Sequence, residues 1–148
     1  MLTREESIIK KIQEFKDAVH ESQFDECLEY LIKKAYEKPV LILLENRNGL
    51  GSEIDKSSTI RIDNSFECKR IIIYELMHEI GHLLDPIKRD CSITDINSKD
   101  PGSVCSREIR AWEAADSEFD RFPELKEHKQ EYQKHKAHCK HTYGIEGQ

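Results

Sequence analysis

No stretch of this 148-residue chain is apolar for long enough to cross a bilayer as a helix, which takes about 20 residues. The N-terminus, Met1 to Ser7, starts charged and continues as an amphipathic pattern. It has neither the apolar core nor the small-residue cleavage site of a secretory signal, so none is expected. Positive charge is also short. The formal net charge of −6 argues against general affinity for nucleic acid or for an anionic membrane surface. Paired cysteine spacing is missing too. Cys27, Cys68, Cys91, Cys105 and Cys139 make an odd set of five, which points to reduced thiols in a cytoplasmic setting. Export of a toxin or effector by a non-classical route is the alternative. Finally, the chain has no internal repeat and no linker-like stretch. Residues 1–148 are therefore expected to form a single domain, with a monomer as the default state.

What is present is helical periodicity, two short strand patterns and one dense cluster of ionisable residues. Ile8, Ile12, Phe15 and Val19 recur at helical spacing. After a polar break so do Phe24, Cys27, Leu28, Leu31, Ile32 and Ala35, which predicts two amphipathic helices within residues 3–37. Pro39 opens a core region over 39–122. There Val40 to Leu44 is short, apolar and bounded by breakers, as a buried strand would be, and Asn46 to Ser52 is loop-like. Thr59 to Asp63 alternates, with Ile60 and Ile62 on one face, and is expected to be a half-exposed strand. A polar stretch with a thin stripe of Leu125, Tyr132 and Cys139 predicts a solvated outer helix over 124–141, with the last residues fraying.

The ionisable cluster is His78-Glu79-Ile80-Gly81-His82, near the end of the longest apolar run, Arg70 to Met77. A helix from about Phe66 or Glu67 to Asp85, stopped by Asp85-Pro86, would place both imidazoles on one face within reach of a single metal ion. By helical arithmetic Tyr74, Glu75, His78, His82 and Asp85 form one polar stripe, expected to open onto a cleft. Glu79, one step round from His78, can act on a water at the metal. Gly81 in a helix interior costs about 1 kcal/mol relative to alanine, which implies that another backbone comes close there.

Two imidazoles leave zinc short of a protein ligand. The acidic residues on the next helix, which starts at Ser103 or Ser106 and runs to Pro123, are Glu108, Glu113 and Asp116. Geometry alone does not choose among them, although Glu108 shares a face with Ala111, Trp112 and Ala115, where small alanines allow close helix packing. Glu113 points roughly 140° away, so the two glutamates cannot both be ligands. Trp112 is expected in the core. His135, His138 and Cys139 could form a second metal group on the outer helix, but a solvated Lys/His-rich face is the simpler reading.

The run His-Glu-Ile-Gly-His-Leu-Leu-Asp at 78–85, followed by Glu108-Ile109-Arg110-Ala111, resembles the HExGH…ExxA pattern of gluzincin zinc metallopeptidases. It is similar to the ImmA/IrrE-type and anthrax-lethal-factor-like peptidase domains over roughly residues 58–120. The resemblance implies Zn2+ as cofactor, with His78, His82 and Glu108 as its ligands and Glu79 as the catalytic general base. It also implies a strand beside the metal helix that pairs with substrate, for which Thr59 to Asp63 is the candidate. Lethal-factor-like enzymes carry an oxyanion-stabilising tyrosine just before the third ligand, and Lys99 to Ser103 has none. Tyr74, Tyr132 and Tyr143 are the remaining candidates. Asp85 could orient a ligand imidazole, or simply end the helix.

The expected fold is a compact α+β, zincin-like domain, mostly helical, with a small sheet of two to four strands beside the active-site helix. The expected function is zinc-dependent endopeptidase activity on a protein or peptide substrate. The alternative is a non-catalytic, zinc-stabilised interaction module that binds through its polar C-terminal helix.

Overall fold

The structure, a computed structural model, describes residues 1–87 and 98–142. Cys91, Tyr143 and the terminal residues expected to fray lie outside the described residues. The fold is α+β and mainly helical, with a three-stranded mixed sheet. It divides into two compact units, Met1–Glu79 and Ile80–Gln148, whose boundary falls inside one continuous helix.

The first unit opens with α1 (Arg4–Val19) and α2 (Asp25–Ala35), the two amphipathic helices read from the sequence. A capping box starts α1: the Glu6 amide donates to Thr3 Oγ1 and the Thr3 amide to Glu6 Oε1, at 3.1 and 3.3 Å. His20 ends it in the left-handed region at φ 56°, with its amide on the Lys16 carbonyl. Ile12, Phe15 and Val19 of α1 and Cys27, Leu28, Leu31, Ile32 and Ala35 of α2 are buried, so the 3.6-residue stripes are the faces that leave water.

Three strands follow, β1 (Leu41–Glu45), β2 (Glu53–Ile54) and β3 (Thr59–Asp63), in the order β1-β3-β2. β1 runs parallel to β3 along its whole length, and β2 pairs antiparallel with Arg61 and Ile60. Two expectations change here. The apolar run Val40 to Leu44 predicts a buried strand, yet β1 is an edge strand: Ile42 is fully buried while Leu41 is 52% exposed. Conversely β3 is central and not half-exposed, because both of its sides are hydrogen-bonded and even Thr59 and Asp63 are buried. Among the described residues it therefore offers no free edge for a substrate strand, contrary to the role expected of it.

Asp63 organises the loop expected over 46–52. Its carboxylate accepts from the amides of Arg47, Gly51 and Ser65 at 3.0–3.1 Å and from the Ser65 hydroxyl at 2.7 Å. Burial pushes its pKa upward, but these four donors outweigh burial and hold it below the ordinary value of 3.8. Gly51 sits at φ +85°, a conformation open to glycine at little cost.

The helix that carries the ionisable cluster, α3, spans Ile71–Leu84. It begins about a turn later than the sequence suggested. Residues 68–70 instead form tight turns, with the amides of Ile71, Ile72 and Ile73 each bonded three residues back. Arg70 reaches Glu21 at 3.1 Å and Lys69 donates to the Asn64 carbonyl at 2.7 Å, which holds this entry.

The second unit contains the last turn of α3, then α4 (Val104–Arg121), a 3-10 turn over Pro123–His128, and α5 (Lys129–Thr142). Ser103 caps α4, accepting from the Ser106 amide at 3.2 Å. Glu108, Ala111, Trp112, Ala115, Glu118 and Phe119 form its buried face. Trp112 is 1% exposed, as a core residue should be. Its ring meets Tyr132 at 6.2 Å and His135 at 6.4 Å, and Phe119 stacks on Tyr132 at 4.3 Å. The predicted outer helix starts as a 3-10 turn, and α5 buries more than the thin stripe expected: Tyr132, His135, Lys136 and Lys140 are all under 10% exposed. The lysine stems lie along protein surface, and Lys136 places its ammonium 3.1 Å from both oxygens of Asp116.

Candidate metal centre

Three potential ligands lie on α3. One donor atom each from His78, Glu79 and His82 falls within 4.8 Å of the others. The cause is helical pitch, since residues four apart stack along one face and Glu79 is a neighbour of His78. All three are withdrawn from solvent: His78 and Glu79 are 6% and 2% exposed, and the His82 side chain is 6% exposed. The polar stripe does not open along its length, because every residue from Ile72 to Ile80 is buried. Exposure rises only at the last turn, from His82 to Leu84. Burial of Ile72, Ile73, Leu76, Met77 and Ile80 gives this helix its rigid seat.

Glu108 comes to His82 from α4. Its Oε2 stands 3.2 Å from His82 Nε2, with both side chains 6% exposed. Two ligand atoms about 2.0–2.1 Å from a tetrahedral zinc are about 3.3 Å apart, so this spacing fits two positions of one coordination sphere. Two imidazoles and a carboxylate are also the donor chemistry of a catalytic zinc site, in which the remaining position is left to water or substrate.

The approach of α4 depends on Gly81. A β-carbon built there would lie 2.6 Å from the Ala111 carbonyl oxygen, 3.0 Å from its Cα and 3.2 Å from its carbonyl carbon. The backbone crowding inferred from a costly helix glycine is therefore real, and the crowding partner belongs to the helix of Glu108. Glu108 precedes Ala111 by one turn, so the contact that admits α4 also brings the carboxylate to His82.

The other candidates separate by burial and partners. Glu113 is on the exposed face of α4, and Asp116 is engaged by the Tyr132 hydroxyl at 2.6 Å and by Lys136. Asp85 does not orient an imidazole: Oδ2 accepts from Arg110 Nε at 3.0 Å and pairs with its charge at 2.9 Å, and Oδ1 accepts from the Ile87 amide. Burial raises the Asp85 pKa, but the Arg110 bond, the Ile87 amide and the charges of Arg110 and Arg107 bring it below the ordinary 3.8. Of the oxyanion candidates, Tyr132 is 1% exposed, with its hydroxyl held by Asp116 and its ring stacked on Phe119. Tyr74 is fully buried. On α5, His135 Nε2 and Cys139 Sγ lie 3.4 Å apart, while His138 is on the exposed face.

Sequence reading did not single out Arg110 as a partner of Asp85. The two are 25 residues apart, and only the packing of the helices reveals the pair. Comparison of the chain with family models, curated proteins and solved structures gives no match.

Proposed function

We propose that the chain is a zinc-dependent endopeptidase, with His78, His82 and Glu108 holding the metal and Glu79 serving as general base. The observation that carries this reading is the 3.2 Å approach of Glu108 to His82, on a helix that also carries His78 and Glu79. When bound, zinc would lower the pKa of a water and polarise the scissile carbonyl.

The chain's own residues do the rest. Glu79 accepts a proton from the attacking water and returns it to the leaving amine, a transfer worth about 10²–10⁴ in rate. Its burial keeps that carboxylate out of bulk solvent, where competing hydrogen bonds would weaken its hold on the water. The apolar girdle of Ile72, Ile73, Leu76, Met77 and Ile80 fixes the helix, so the two histidines and the base keep their mutual spacing. The half-buried turn from His82 to Leu84, the most open part of the helix end, is where a peptide would first meet the site.

The test is metal removal and return. Protein stripped with a chelator is incubated with a peptide library, then again after one equivalent of zinc. Cleavage that appears only with zinc supports the reading. A chain that takes up zinc and gains stability without cleaving any peptide is instead a zinc-stabilised interaction module.

A further inference from the structure

The Asp85–Arg110 pair has the geometry of a latch. The Asp85 side chain is 3% exposed, and its Oδ2 accepts from Arg110 Nε at 3.0 Å while Nη2 of the same guanidinium stands 2.9 Å away as an ion pair. A charge-assisted bond from a planar guanidinium fixes direction as well as distance. Asp85 Oδ1 is fixed separately by the Ile87 amide at 3.0 Å, and Arg110 Nη2 also donates to the Pro101 carbonyl at 2.7 Å. Both partners are thus held from behind, and neither is a long side chain wandering at the surface.

The latch adds to the contact at Gly81. Gly81 and Asp85 are four residues apart, on one face at the end of α3, and they meet Ala111 and Arg110, which are neighbours on α4. Close backbone contact at one point sets the separation of two helices but leaves them free to pivot. A directional second point removes the pivot. Glu108 lies one turn from Ala111, so a pivot of α4 would carry its carboxylate away from His82 Nε2.

We propose that Arg110, through Asp85, is a positioning residue for the metal centre: it locks the rotation of α4 so that Glu108 is held at His82 before the metal arrives. This rests on the zinc reading above. Arg110 is not itself a ligand in this arrangement; its effect is on how much ordering the metal must itself impose.

The experiment measures zinc affinity of the stripped chain by competition with a chromophoric chelator, the absorption of the Co2+ form, and thermal unfolding of the metal-free form. The variants are R110Q, R110K, D85N, the double D85N/R110Q, and the charge swap D85R/R110D with its singles D85R and R110D. R110Q is expected to weaken zinc binding about 10- to 100-fold and to alter the Co2+ spectrum in chain that remains folded. R110K should recover only part of the loss, since it keeps the charge but not the planar group that reaches Asp85 and the Pro101 carbonyl together. The double variant should be no weaker than either single, because both remove one interaction. If R110Q does not fold, R110K and the charge swap carry the test, the swap binding zinc more tightly than either of its component singles. Unchanged zinc affinity in folded R110Q or R110K, with only a lower unfolding temperature, overturns the positioning role and leaves the zinc reading intact. Failure of the wild-type chain to bind zinc, or binding that E108Q leaves unchanged, overturns the site reading and the latch together.

Discussion

Replacing Gly81 with alanine sets two known effects against each other, and the structure decides the sign. On helix propensity alone, Gly81→Ala should stabilise the chain by about 1 kcal/mol. The new methyl, however, would stand 2.6 Å from the Ala111 carbonyl oxygen, and ordinary contact begins near 3.4 Å. Relief needs about 0.8 Å of separation, and the obstructing atoms are backbone, so no rotamer change supplies it. Overpacking of this kind costs about 1–3 kcal/mol, leaving a net destabilisation of up to about 2 kcal/mol. The same displacement carries Glu108 off His82, so zinc affinity should fall by about tenfold or more. Urea unfolding of the metal-free chain and chelator competition measure the two quantities. The companion Ala111→Gly removes only a side-chain methyl and should not rescue G81A. A G81A protein that is more stable by about 1 kcal/mol, with unchanged zinc affinity, would refute the close-contact argument.

Three further outcomes are expected. Asp63→Ala removes the acceptor of four donors in the loop before α3 and should destabilise the chain by about 2–3 kcal/mol in urea unfolding, with a cost under about 0.5 kcal/mol counting against its organising role. Asp63 and Asp85 both titrate below their ordinary 3.8, so their stabilisation is full above that value and is lost as pH falls from there through their lower folded values; Asp63→Asn should flatten this acid arm of the stability curve, and an unchanged arm would exclude Asp63 as a contributor. Tyr132→Phe keeps the stack on Phe119 and loses the bond to Asp116, so unfolding should shift by about 1 kcal/mol while zinc affinity and peptide cleavage hold, whereas a hundredfold loss of cleavage would return Tyr132 to the oxyanion role.

Much of the fold was legible because it rests on periodicity. The apolar stripes of α1 and α2 and the face shared by Glu108, Ala111, Trp112 and Ala115 are local patterns, and local pattern survives packing. Gly81 was legible for a different reason: a residue that costs helix stability has to be explained by something close to it, and Ala111 is there. What could not be read depends on pairing across the chain. The alternation in Thr59 to Asp63 gives the faces of a strand but says nothing about its neighbours, so its central place between β1 and the two-residue β2 stayed hidden. Asp85 read as a helix stop or an imidazole partner because Arg110 lies 25 positions away. The buried side of α5 was masked by its own composition, for lysine and histidine count as polar even when the stem of Lys136 or the ring of His135 is covered.

Glu79→Gln, measured for zinc content and peptide cleavage side by side with wild type, separates a general base from a merely structural carboxylate. The substituted amide would keep the size and burial of the native side chain but could not take a proton from water. Both proteins are expected to hold one zinc per chain, with cleavage reduced about 10²–10⁴-fold in the variant. A variant that holds zinc and cleaves as well as wild type, or a wild-type chain that carries no zinc after mild purification, would contradict the zinc-peptidase mechanism.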